Sequence, residues 1–311
     1  MSVIHVEDMA YVRYQAPDLD KMEAFLTDFG LQRVKRNDHA LYMRACGTAP
    51  VVHITEKGES ANLGIGLRAR SEADLFRLAE HTGLPVESNT EPGGGKLVRL
   101  QDPDGLRVDV LHGQSPVEPV AVRDPIEVNP AVARRRFGKV VRVPRGPSHV
   151  MRCGHVALLV ADFRKSLAFY GDLLGLRPSD TYYAGSPENT IAAFMHCSLG
   201  ETYTDHHTLA LITASDGVGR FDHSAFEVLD LDDLMRGNEH LAGKGHAHSW
   251  GIGRHVQGSQ LFDYWRDPFG HKIEHWTDGD LVNDATPVGN AAISGDELSQ
   301  WAPALQPEFF K

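Results

Sequence analysis

Along the first hundred residues the spacing of apolar positions changes in a set order. Residues 9–16, M-A-Y-V-R-Y-Q-A, alternate as a half-buried strand does, and from Leu19 the run L-D-K-M-E-A-F-L-T-D-F shifts to helical spacing. Asp18 is placed to cap that helix and Gly30-Leu31 to end it. The same order returns from Cys153, where C-G-H-V-A-L-L-V is followed by Asp162 as a cap, an apolar helical run and a closing Gly175-Leu176. Phe25 and Phe169 fall at matching helix positions, and both are expected in the core.

A second pair of matches lies further along each copy. L-G-I-G-L-R-A-R-S-E-A-D-L from Leu63 and H-S-A-F-E-V-L-D-L-D-D-L from His223 both read as a strand leading into an acidic helix start. Q-D-P-D-G-L-R-V-D-V and R-D-P-F-G-H-K-I-E-H both read as a tight turn feeding a last strand. The unit is therefore β-α-β-β-β, used twice in each of two domains, an α+β architecture found by internal repetition. The domains are expected over 1–113 and 150–279. A proline-rich linker without periodicity, 114–149, separates them, and an irregular tail, 280–311, offers Trp301, Phe309 and Phe310 for burial.

Composition narrows the class. A formal charge of −11 disfavours nucleic acid or an anionic membrane as partner, since both need a basic face. No apolar run approaches the roughly 18 residues of a membrane span, and M-S-V-I-H-V-E-D lacks the pattern of a secretory signal. Cys46, Cys153 and Cys197 are widely spaced with no C-x-x-C pair, which suits a reducing compartment, so a cytoplasmic protein is expected. Histidine is the unusual residue, with 17 copies, 14 of them beyond position 80.

The most informative segment is Gly253–Glu274, G-R-H-V-Q-G-S-Q-L-F-D-Y-W-R-D-P-F-G-H-K-I-E. A histidine follows an arginine, a tyrosine stands nine residues on, and a carboxylate follows a D-P-x-G turn on a β-like stretch. This resembles the signature of the type I extradiol ring-cleavage dioxygenases of the vicinal oxygen chelate superfamily. The repeats agree, because paired β-α-β-β-β units in that superfamily curl into a half-open barrel. The resemblance implies a non-haem Fe(II) site of two neutral imidazoles and one carboxylate. Its strand positions match His155 in C-G-H-V-A-L-L-V, His223 in F-D-H-S-A-F-E-V and Glu274 in H-K-I-E-H-W. The same ligand set can hold Mn(II).

The resemblance also assigns a catalytic set. In Y-T-D-H-H-T-L-A-L-I the family's acid/base histidine falls on His207, with His206 beside it as a bystander, and His255 and Tyr264 match the residues that orient the bound diol. The implied reaction is O₂-dependent cleavage of a catechol-type ring beside its two hydroxyls, to a hydroxymuconic semialdehyde-type product. In the first domain Tyr11 stands for His155, Leu63 lies near the position of His223, and Asp109 matches Glu274 as a solvated strand residue. That domain is therefore expected to be structural. His246 and His248 are expected at the pocket mouth or in solvent, and one of His271 and His275 behind Glu274. Arg254 and Arg266 are candidates to meet a substrate carboxylate. Two other readings are a metal isomerase or lyase of the same superfamily and a non-catalytic aromatic-binding protein. Half-open barrels leave edges to cover, so a homo-oligomer is expected.

Overall fold

The computed structural model describes residues 2–293 and 298–310. The first unit comprises β1 (Val6–Ala16), α1 (Leu19–Phe29), β2 (Gln32–Arg36), β3 (Ala40–Arg44) and β4 (His53–Lys57). The second has β5 (Ala61–Ala69), α2 (Glu72–Thr82), β6 (Glu87–Ser88), β7 (Lys96–Gln101) and β8 (Arg107–His112). After a stretch with no strand or helix, the third unit runs β9 (Val150–Val160), α3 (Phe163–Ala168), β10 (Leu176–Tyr183), β11 (Thr190–Cys197), a short β12 (Thr204–Asp205) and β13 (Leu209–Thr213). The fourth is β14 (Arg220–Val228), α4 (Leu231–Gly243), β15 (Ala247–His255), β16 (Leu261–Arg266) and β17 (Lys272–Thr277). The tail adds β18 (Leu281–Val282), β19 (Gly289–Ala292) and β20 (Ser299–Trp301).

Two large sheets result, ordered β2-β3-β4-β1-β5-β8-β7-β6 and β19-β10-β11-β13-β9-β14-β17-β16-β15-β20. In each, the first strands of the paired units lie antiparallel at the centre (β1 with β5, β9 with β14). Each of these is flanked by the parallel last strand of its own unit. The repeated sequence pattern has thus become a repeated topology, and both copies are mixed α/β with few helices.

Helix capping follows the sequence. The Asp18 side chain accepts from the Asp20 and Lys21 amides, Asp162 accepts from Lys165, and Gly30 ends α1 in the left-handed conformation. Phe25 is fully buried, but Phe169 is only half-buried. The chain changes to π geometry over Phe169–Leu173, and the wider turn gives the buried position to Tyr170, whose hydroxyl donates to Asp102 at 2.9 Å. The two halves share one core: Phe29 of α1 lies against Phe226 and stacks on His275 at 3.7 Å, and the Tyr14 and Ser224 hydroxyls are 2.7 Å apart. The tail is not irregular throughout, since β19 and β20 join the second sheet and Phe309 is buried. Trp301 is half exposed, and the side chain of Phe310 lies outside the described residues.

Candidate metal centre and its pocket

Strand register brings three distant residues together. His155 on β9 pairs with Ala225 on β14, which pairs with Glu274 on β17, so the histidine and the carboxylate stand level on either side of β14. His223 lies two residues before Ala225 and projects to the same face. The Nε2 atoms of His155 and His223 lie 3.2 and 3.3 Å from one carboxylate oxygen of Glu274, and the three ligand atoms fall within 4.8 Å of one another. This is the sole His/Cys/Asp/Glu grouping of that kind among the described residues.

Glu274 is fully buried, and neither of its oxygens has an aligned hydrogen-bond donor. Burial opposes its ionisation, yet the two imidazoles outweigh this and hold the carboxyl well below the usual range. A buried, ionised carboxylate without donors is costly unless a cation completes it, so this donor set suits a divalent metal ion.

The two histidines are prepared differently. Asp222 Oδ2 is 2.6 Å from His223 Nδ1 and can only accept, so that nitrogen carries the proton and Nε2 is left as a lone-pair donor. Burial disfavours charge on His223, but Asp222 and Glu274 together raise its pKa; burial lowers that of His155. Lys272 holds Asp222 from the other side at 3.0 and 3.1 Å. Asp222 and Lys272 were not foreseen from the sequence.

In the first half the equivalent positions are Tyr11, Gly64 and Asp109, because Tyr11 pairs with Gly66 and Gly66 with Asp109. Leu63, one residue from Gly64, occupies the place of Asp222. Asp109 is not solvated but buried, receiving the Tyr11 hydroxyl at 2.9 Å, Arg99 at 3.0 Å and Arg107 at 2.6 Å.

The second sheet curves around a cavity of about 420 Å³ whose walls come from alternate residues of its strands, among them Ala157, Leu159, Phe194, Ala210 and Ile212. His155, His207, His223, His255 and Tyr264 all face this space. The Tyr264 hydroxyl lies 3.0 Å from His255 Nε2, and His255 Nδ1 donates to the Leu298 carbonyl at 2.7 Å, which leaves Nε2 to accept. Burial, reinforced by Glu274, pushes the Tyr264 phenol well above its ordinary value. Burial and the neighbouring histidines push His207 well below its own, so it stands neutral at pH 7. Its ring is 4.2 Å from that of His155.

Several expectations need correction. Neither His246 nor His248 is at the pocket mouth: His248 is exposed, as the solvent alternative has it, with its Nε2 2.7 Å from Asp263, while His246 is half-buried and meets Asp28 at 3.0 Å. Neither His271 nor His275 touches Glu274. His271 binds Asp267 and Ser60, while His275, one residue on along the strand, faces away and donates to the Phe29 carbonyl at 2.7 Å. Arg254 turns to Asp278 and Arg266 to the Gly270 carbonyl, and neither lines the cavity. Gln257 and Trp250 do line it, as do the tail residues Ile293, Leu298 and Phe309; no periodicity in the sequence marks them. No helix among the described residues is long and apolar enough to cross a membrane.

Comparison with known proteins agrees with this geometry. Residues 152–275 match the model of the Glyoxalase/Bleomycin resistance protein/Dioxygenase superfamily. The chain is 32% identical to metapyrocatechase 2 of Cupriavidus necator, over 98% of its own length and 91% of that protein. It is 27% identical to biphenyl-2,3-diol 1,2-dioxygenase of Paraburkholderia xenovorans, over 95% and 94%. Among solved structures, homoprotocatechuate 2,3-dioxygenase of Arthrobacter globiformis superposes with a TM-score of 0.79 at 20% identity, covering 100% of this chain and 92% of that one. A Mn(II)-bound glyoxalase of Novosphingobium aromaticivorans gives 0.81 at 24%, covering 99% and 95%. The extent and level of identity to the ring-cleaving relatives, on a fold built from paired β-α-β-β-β units, place the chain in the extradiol dioxygenase family of the vicinal oxygen chelate superfamily.

Proposed function

We propose that the chain opens a catechol-type ring beside its two hydroxyls, using O₂ and an Fe(II) ion held by His155, His223 and Glu274. The observation that carries this reading is the fully buried Glu274 carboxylate, without donors and facing two imidazole nitrogens. Bound there, Fe(II) would supply a centre at which diol and O₂ meet and electrons pass between them. The chain's own groups do the rest. His207, neutral in the apolar wall, takes the second diol proton at its pocket-facing nitrogen and later returns one. When the diol binds, the Tyr264 hydroxyl turns its one proton from His255 Nε2 to a diol oxygen and favours the ionised form of that oxygen. The product is of the hydroxymuconic semialdehyde type.

The walls point to the ring substituent. Lys272 is the sole lysine or arginine lining the cavity among the described residues, and it is committed to Asp222 and to the Phe309 ring at 3.9 Å. A substrate carboxylate would be buried without a partner, so we assign an alkyl- or aryl-substituted catechol. Catalysis is assigned to residues 150–279 and a scaffold role to 1–113, with 114–149 as linker and 280–311 as a tail that closes the pocket. We further place the protein in the cytoplasm, which suits its three buried free cysteines. It is also assigned a homo-oligomeric state, which would cover the end strands β2 and β6 of the first sheet.

The test is anaerobic reconstitution with Fe(II) or Mn(II), followed by O₂ uptake against catechols bearing alkyl, aryl or carboxylate groups. Expected is uptake matched one-to-one by a yellow product, with Fe(II) and with apolar-substituted rings. Tight metal binding without uptake on any diol would instead favour the isomerase reading that the likeness to the glyoxalase suggests.

A further inference from the structure

His206 is more than a neighbour of the acid/base histidine. Its Nε2 lies 2.6 Å from Asp180 Oδ2, and its Nδ1 lies 3.1 Å from His207 Nδ1. Both rings are buried, while Asp180 sits nearer the surface. A carboxylate only accepts, so the His206 Nε2 must carry a proton. In a neutral His206 the Nδ1 is then an acceptor, and the facing His207 Nδ1 must donate to it. The opposite nitrogen of His207, Nε2, is thereby left with its lone pair toward the cavity that His207 lines.

We infer that Asp180 is a positioning residue for the ring-cleavage reaction: through His206 it fixes His207 as the tautomer whose basic nitrogen faces the substrate. This rests on the reading of His207 as acid/base. The tail takes part, because β19 pairs with β10 at Asp180–Gly289 and a Cβ on Gly289 would come within 1.7 Å of Asp180 Oδ1. Only glycine lets the carboxylate lie flat against that strand and reach His206.

Ring ¹⁵N spectra of metal-free, histidine-labelled protein test the tautomer directly. His206 and His207 are assigned by difference from His206→Gln and His207→Gln. Expected are His206 protonated at Nε2 and His207 at Nδ1, with mixed tautomers at both sites in Asp180→Ala. Gly289→Ala should mix them too by displacing the carboxylate without removing it. With Fe(II) bound, Asp180→Ala should lose roughly ten- to hundredfold in kcat, the range typical of residues that orient a metal-bound histidine, with KM nearly unchanged. A wild-type His207 protonated at Nε2, or an Asp180→Ala protein with unaltered tautomers and kcat, overturns the inference. Should the wild type show the stated tautomers but turn over no diol, the acid/base reading fails instead.

Discussion

Asp222 is where the proposed metal centre can be weakened without touching a proposed ligand. Its carboxylate fixes His223 at 2.6 Å and neutralises Lys272, whose side chain is 3% exposed. Groups that orient a metal-bound histidine typically contribute ten- to a hundredfold in affinity, roughly 1.4–2.8 kcal/mol. Asp222→Asn keeps an acceptor toward His223 but loses the charge, so Fe(II) affinity should fall about tenfold, near the low end of that range. Asp222→Ala removes both and strands the Lys272 ammonium in the interior, which costs on the order of 3–5 kcal/mol of stability. The freed ammonium would also compete for Glu274, taking the affinity loss toward a hundredfold. Adding Lys272→Met to Asp222→Ala separates the two effects. The double variant should recover most of the stability and retain only the smaller affinity loss. Anaerobic competition with a chromogenic chelator reads the affinity, and urea unfolding of metal-free protein reads the stability. An Asp222→Asn protein that binds Fe(II) as tightly as wild type, or a double variant no more stable than Asp222→Ala, would refute this account.

Other perturbations have equally definite outcomes. Tyr264→Phe removes the donor proposed for the diol oxygen and should lower kcat/KM by roughly a hundredfold while leaving Fe(II) affinity intact, as steady-state kinetics and chelator competition will show. A Cβ on Gly154 would come within 2.5 Å of the Trp276 ring, which packs beside His155. Gly154→Ala should therefore cost about 1–3 kcal/mol and weaken metal binding; an unchanged melting temperature would contradict the packing. His53 is fully buried, and burial first, then His271, lowers its pKa to about 3. The unfolded chain binds a proton there below its ordinary value near 6.5 and the folded chain does not, so stability rises with pH between about 3 and 6.5 and then levels off. Going from pH 7 to pH 5 should cost wild type roughly 2 kcal/mol more than His53→Phe, measured by urea midpoints on metal-free protein. An identical loss in both would rule His53 out as a contributor.

What could be read from the chain was whatever follows a regular period or a family motif. The two β-α-β-β-β copies rest on alternating and helical spacing and the capping aspartates on their place before a helix. His155, His223 and Glu274 came from the family resemblance, and the strand register then brings them together. What escaped reading lies where that period breaks. Asp222 precedes His223, and plain alternation sends it to the opposite face. The register shift between Phe221 and His223 makes it the extra residue of a bulge, so both side chains reach the cavity side. A similar shift between Pro178 and Asp180 places Asp180. Tyr170 displaced Phe169 from the core through a π turn, which a 3.6-residue pattern does not signal. The pocket-closing tail residues were invisible because their placement depends on pairing with β10 and β15 rather than on any local pattern.

Both halves carry this bulge, and the residue that occupies it separates the half with a candidate site from the half without one. On β8 and β17 a cation stands two residues before the carboxylate, Arg107 before Asp109 and Lys272 before Glu274. In the first half Arg107 turns onto Asp109, Tyr11 and Arg99 complete its shell, and the buried carboxylate is satisfied by protein alone. In the second half Asp222, standing where the first half has Leu63, draws Lys272 aside. Glu274 then faces two imidazoles, His155, on which burial disfavours charge, and His223, which Asp222 orients so that its Nε2 points at the carboxylate. A carboxylate left unsatisfied inside a packed core is a local inconsistency that a purely structural unit would have removed, as the first half has done. Its persistence beside an aspartate that both diverts the competing cation and orients a histidine is what a metal-binding function requires.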